Sequence, residues 1–251
     1  MKKKNNKTLQ IPINFQIACT LCKICPVEVL QTFIDHTNFY NLFDDTYDEG
    51  YWEVMTSIRI YISGKSGRLR ESKAIRKCAS TFDLCIGQLS MIADKVNNQL
   101  SMATKREYAR HAINAIFEEM EQPHTALNAV YLDEFTSLKL TKDFCILCEV
   151  YNCYPKEYLE FFMGVISLSH AHAHIGLNLK YDMPSFIFFM KVVNGSFGNH
   201  RPPSILTETE EEFREIMAEI PLKIYHIRNV ERRHELLCEA YYQQYEKLTK
   251  N

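Results

Sequence analysis

Phe15-Gln-Ile-Ala-Cys-Thr-Leu-Cys-Lys-Ile-Cys-Pro26-Val-Glu-Val-Leu-Gln-Thr-Phe33-Ile returns 129 residues later as Phe144-Cys-Ile-Leu-Cys-Glu-Val-Tyr-Asn-Cys-Tyr-Pro155-Lys-Glu-Tyr-Leu-Glu-Phe-Phe162-Met. With Pro26 laid on Pro155 no gap is needed. Phe15 falls on Phe144, Ile17 on Ile146, Cys19 on Cys148, Glu28 on Glu157, Leu30 on Leu159 and Phe33 on Phe162. Each stretch reads as a short apolar helix, a tight turn, and a second helix that starts at proline, where the missing N–H costs nothing. The expected fold is therefore all-α, with roughly ten helices in two tandem pseudo-repeats, 11–123 and 141–249, packed as one helical body. A connection over 124–140 would join them, and residues 1–10 would form a disordered basic tail.

Outward from this stretch the same signs continue. Tyr51, Met55, Ile58 and Ile62 share a helical face, which Gly64 to Gly67 closes. From Ser72 to about Asn98 one stripe (Ile75, Cys78, Ala79, Phe82, Ile86, Leu89, Ala93, Val96) predicts a single helix roughly 40 Å long. Thr104-Lys-Arg-Glu107 fits a capping box opening a further helix. A short helix is expected around Ala126–Phe135. In the second copy Met183, Phe186, Ile187, Met190 and Val193 form the stripe, Thr207 to Glu210 fits another capping box, and a last helix is expected from about Leu222 to Leu248.

Composition narrows the function classes. The hydrophobic fraction is 46% and the charged fraction 24%, ordinary for a globular chain. A net charge of −2 argues no general affinity for nucleic acid or an anionic membrane. No apolar run approaches the ~18 residues of a spanning helix. Nine cysteines with no apolar export segment predict reduced thiols in the cytoplasm. A lipid-modified Cys19 is disfavoured by Gln16, which stands where an aliphatic residue belongs.

Five residue groups are weighed as candidate sites. Cys19 and Cys22, with Cys145 and Cys148, could supply four thiolates to zinc. Against that, Cys22 falls on Tyr151 in the other copy, and spacing by three also marks the buried face of a helix. His170, His172 and His174 place two imidazoles, His170 and His174, on one helical face where a divalent metal could bind; a polar helix end is the plainer reading. Glu121/His124 and Glu231/His234 have the spacing of di-iron ligands, but Pro123 interrupts the first pair and the second reads as a solvated face with Arg232, Arg233 and Glu235. Lys65, Arg68, Arg70, Lys73, Arg76 and Lys77 make the best local case for nucleic acid or phosphate contact. Gly64-Lys65-Ser66 is not a phosphate loop, because Arg59 stands where its leading glycine should be. A DNA-reading helix-turn-helix is disfavoured, since 27–36 and 156–164 present neutral to acidic outer faces. Tyr241, Tyr242 and Tyr245 are expected as an exposed aromatic patch for a protein partner.

No catalytic constellation emerges and no cofactor is implied. The sequence predicts a non-enzymatic helical interaction or regulatory protein with a protein partner. A nucleic-acid-binding regulator and a metal-dependent enzyme or sensor are the alternatives.

Overall fold

The computed structural model describes residues 8–44, 50–65, 71–94, 100–120, 123, 130–198, 215, 219–220 and 222–250. The fold is all-α. In chain order the helices are α1 (Ile13–Leu21), α2 (Pro26–Asp35), α3 (Tyr51–Gly64), α4 (Lys73–Lys77), α5 (Ala79–Ala93), α6 (Met102–Glu119), α7 (Lys142–Val150), α8 (Pro155–Gly164), α9 (Leu168–Ile175), α10 (Pro184–Val193) and α11 (Val230–Lys250), with a 3₁₀ turn at Phe39–Leu42. The one sheet among the described residues is a two-stranded antiparallel hairpin, β1 (Val130–Tyr131) and β2 (Ser137–Leu138). No single helix among the described residues is long and apolar enough to cross a membrane.

Two compact units divide the chain: Met1–Gln10 with Val27–Phe162, and Ile11–Pro26 with Met163–Asn251. These bounds differ from the expected 11–123 and 141–249, because the helix that covers an apolar face is not always the next one along the chain. In the first unit α5 packs along α6, and α6 against α7 and the 3₁₀ turn. Its centre is aromatic: Phe33 stacks on Phe162 with ring centroids 3.9 Å apart, beside Tyr61, Phe144 and Tyr158. A buried ion pair, Lys105 Nζ to Asp44 Oδ2 at 2.8 Å, ties α6 to the end of the 3₁₀ segment, and Tyr40 donates to the same oxygen. In the second unit α9 and α1 both pack against α11, and Phe15 meets Phe189 edge to face at 6.2 Å.

The two matching stretches adopt one local geometry. α1 and α7 each run nine residues. Each ends with a left-handed residue, Lys23 (φ 53°) and Asn152 (φ 46°). The amide after it reaches back five residues, Ile24 N to Cys19 O and Cys153 N to Cys148 O, both 2.9 Å. That is a Schellman closure, with a buried cysteine accepting in each case. Each then passes into a ten-residue helix opening at proline. The next segments also begin alike, at extended Asn38 and Ser167.

Several expectations are corrected. The long 72–98 helix breaks at Cys78 (φ −101°, ψ 26°), giving α4 and α5; unbroken apolar spacing cannot register one non-helical residue. α6 is capped by Ser101, whose Oγ accepts from Thr104 N, three residues before the expected cap. Val130–Leu138 forms the hairpin and not the end of a short helix, Asp133 holding the turn by accepting from the amides of Phe135 and Thr136. Residues 8–10 are not a disordered tail: Leu9 N donates to Tyr131 O and Gln10 N to Glu160 Oε1. The last helix starts at Val230, after a turn at 224–226. Residues 207–210 lie outside the described residues.

Candidate functional site

α9 starts at Ser167, whose hydroxyl accepts from His170 N, and ends at Gly176. α11 starts after Asn229, whose side chain accepts from Arg232 N at 2.7 Å. Arg233, Leu237 and Tyr241 recur every fourth residue on α11 and so line one face. That face, with His172, Ile175 and Gly176 of α9 and Ile224 from the preceding turn, encloses an open pocket of about 250 Å³.

Arg233 is 2% exposed. Its Nη1 donates to the carbonyls of Ile224 (2.8 Å) and Ile227 (3.2 Å), while its buried Nε has no acceptor. The guanidinium fits because residue 176 is glycine: a Cβ there would stand 3.2 Å from Cζ and collide with Nη2. Arg233 therefore departs from the solvated face expected of 231–235. Glu231, Arg232 and Glu235 are exposed, and Arg232 pairs with Glu235 at 2.8 Å. On the pocket wall His172 Nδ1 and the Tyr241 hydroxyl share a short hydrogen bond. Burial lowers the His172 imidazole and raises the Tyr241 phenol, so both are neutral near pH 7.

The histidines come together as the helical spacing predicts. His170 and His174 share a face, centroids 4.7 Å apart, and His172 points elsewhere. His234 joins them 5.1 Å from His170, and Tyr181 lies 5.3 Å from both α9 rings. His174 Nδ1 donates to the His170 carbonyl. Burial, and then the neighbouring His174 and His234, hold His170 below its usual range. Cys238 Sγ sits 3.2 Å from His234 Nε2 and 3.0 Å from Ser169 Oγ. Among the described residues no three His, Cys, Asp or Glu side chains converge as metal ligands.

Cys19, Cys145 and Cys148 are buried and Cys22 is half-buried, and none of the nine cysteines forms a disulfide. Burial, reinforced by the hydrogen bond with Cys153, pushes the Cys148 thiol well up, away from the thiolate a metal needs. Of the basic group, Lys73, Arg76 and Lys77 are exposed, Lys65 pairs with Glu157 at 3.1 Å, and Arg68 and Arg70 lie outside the described residues. Tyr241 is buried (2% exposed), Tyr245 is half-buried and donates to Gln16 Oε1, and only Tyr242 is exposed. The expected tyrosine patch thus reduces to one residue.

Sequence reasoning missed Arg233 and the outer face of α5. α5 buries Phe82, Cys85 and Leu89. On the opposite side Ser80, Leu84, Gly87 and Met91 follow at helical spacing and are exposed, Leu84 by 65% and Met91 by 72%. The spacing of Leu84 and Met91 carried that signal, but the stronger stripe beside it dominated. No family model, curated protein or solved structure matches the chain.

Proposed function

We propose that the chain is a non-enzymatic binding protein that arose by duplication of a helical unit and engages a protein partner through the outer face of α5. The observation that carries the partner reading is that face. Leu84 and Met91 sit two turns apart, with Gly87 between them facing open space. Glycine inside a helix costs roughly 1 kcal/mol relative to alanine, and no contact within 4 Å of a Cβ at Gly87 accounts for it. A partner backbone lying close against Leu84 and Met91 would account for it.

The duplication is supported by the matched Schellman closures and by the stack of Phe33 on Phe162, which are equivalent under the 129-residue shift. Self-equivalent residues touch where a two-fold axis passes. The packing also suits an exchange of first helices: α7 lies against α6, the last helix of the first copy, while α1 lies against α11, the last of the second.

The test is native mass spectrometry of the protein purified under reducing conditions from its own cells, beside Leu84→Asp/Met91→Asp. Both positions are exposed, so each substitution costs no more than about 0.5 kcal/mol and the double variant stays within about 1 kcal/mol of the parent. The reading expects a stoichiometric complex for the parent and a bare chain for the variant. Identical complexes for both would sink it, as would a parent mass excess made up of metal or nucleic acid.

A further inference from the structure

Arg233 is a buried cation, and among the described residues no carboxylate pairs with it. Two carbonyls take Nη1, and Nε has no acceptor. A guanidinium taken out of water keeps a large desolvation cost that two dipoles only partly offset. It stands in the wall of an open pocket, and pockets of mostly apolar lining with one placed charge are how proteins hold small ligands. The remaining lining is Gly176, Ile175, Ile224 and Leu237, with His172 and Tyr241 satisfying each other.

We infer that this pocket binds a small apolar monocarboxylic acid, its carboxylate on the Arg233 guanidinium and its hydrocarbon part against Ile175, Ile224 and Leu237. The site lies in the second unit and stands independently of the α5 surface. Three features select this class. A planar guanidinium matches a carboxylate in shape and charge. The charge is single, so a doubly charged phosphate would leave charge and oxygens unanswered against aliphatic walls. The volume, about 250 Å³, is below the ~300–1,000 Å³ of sites for drug-sized ligands and holds roughly eight waters' worth of space.

Thermal unfolding of the full chain at fixed ionic strength tests this, with hexanoate and benzoate as probes and hexanamide and benzamide as uncharged counterparts of the same shape. At about 10 mM an acid should raise the midpoint saturably, as a ligand of the folded state does, and its amide should not. Arg233→Met should weaken the response at least roughly tenfold. No shift with either acid, or an equal shift with an amide, would overturn the assignment. Should Arg233→Met fail to fold, Ile175→Trp at the exposed rim fills the mouth. It should weaken the acid response by the same factor, and an undiminished response would overturn the site. Acetyl-Gly-Gly-Leu carries the same carboxylate on a peptide end; tighter binding of that probe than of either acid would overturn the small-acid assignment.

Discussion

Tyr158 carries a hydroxyl that its surroundings do not use. Its ring packs among Phe33, Tyr61 and Phe144 at centroid distances of 5.7, 5.1 and 5.7 Å. The buried oxygen has no hydrogen-bond partner, and burial pushes the phenol well above its usual range. Tyr158→Phe keeps the ring and removes the stranded oxygen, so urea unfolding should show a gain of about 1 kcal/mol. A loss would mean that the hydroxyl has a partner. The position shows what a linear sequence yields at this scale. Spacing marks 158 as inward, but not whether a polar atom there is answered, since the answer comes from residues such as Phe33, far away in the chain. Arg233 is the sharper case. Its neighbours Glu231, Arg232 and Glu235 read as solvent-facing and are. The fourfold spacing to Leu237 and Tyr241 pointed inward, and only the room left by Gly176 makes an arginine possible there.

At the level of elements, the boundaries set by local chemistry were the legible ones. Pro26 and Pro155 open helices as expected. The turns before them force Lys23 and Asn152 into left-handed conformations. Asparagine tolerates that region, whereas lysine does so at a cost glycine avoids. Lys23→Gly should therefore stabilise by about 0.5–1 kcal/mol in denaturant unfolding; an equal loss would show that the turn is not strained at that residue. Cys78 and Ser101 escaped the reading because helix-long spacing tolerates a one-residue break and because two serine or threonine caps three residues apart look alike. α9 makes a prediction about pH. His170 and His172 titrate below 6.5 when folded, chiefly through burial. The unfolded chain then binds more protons than the folded one between those folded values and about 6.5. Stability is full above that window and is lost as pH falls through it. Calorimetry should show the midpoint dropping from pH 7 toward 5.5, with His36, also lowered by burial, adding in the same direction from the first unit. His172→Gln should flatten the slope, and an unchanged slope would remove His172 from the account.

For the whole molecule, the all-α class and the paired stretches were readable from the sequence, but the division into units was not. Helical periodicity says that Phe15 faces a core without saying whose. Phe15 lies in the unit that holds Phe189, whereas Val29 and Phe33, on the next helix along the chain, lie in the other. Phe15→Ala, a loss of about 3–5 kcal/mol for a buried phenylalanine, should therefore raise hydrogen exchange in α10, some 170 residues away in the chain, before it does so in α2. A rise confined to α2 would refute that division. The partner face on α5 is the central functional claim, and site-specific photo-crosslinking in the protein's own cells tests it most directly. A photoreactive residue at Met91 should give one discrete adduct that Leu84→Asp abolishes, while one at exposed Glu239 on α11 gives none. No adduct from position 91, or the same adducts from 91 and 239, would contradict the claim that the outer face of α5 is where this protein meets its partner.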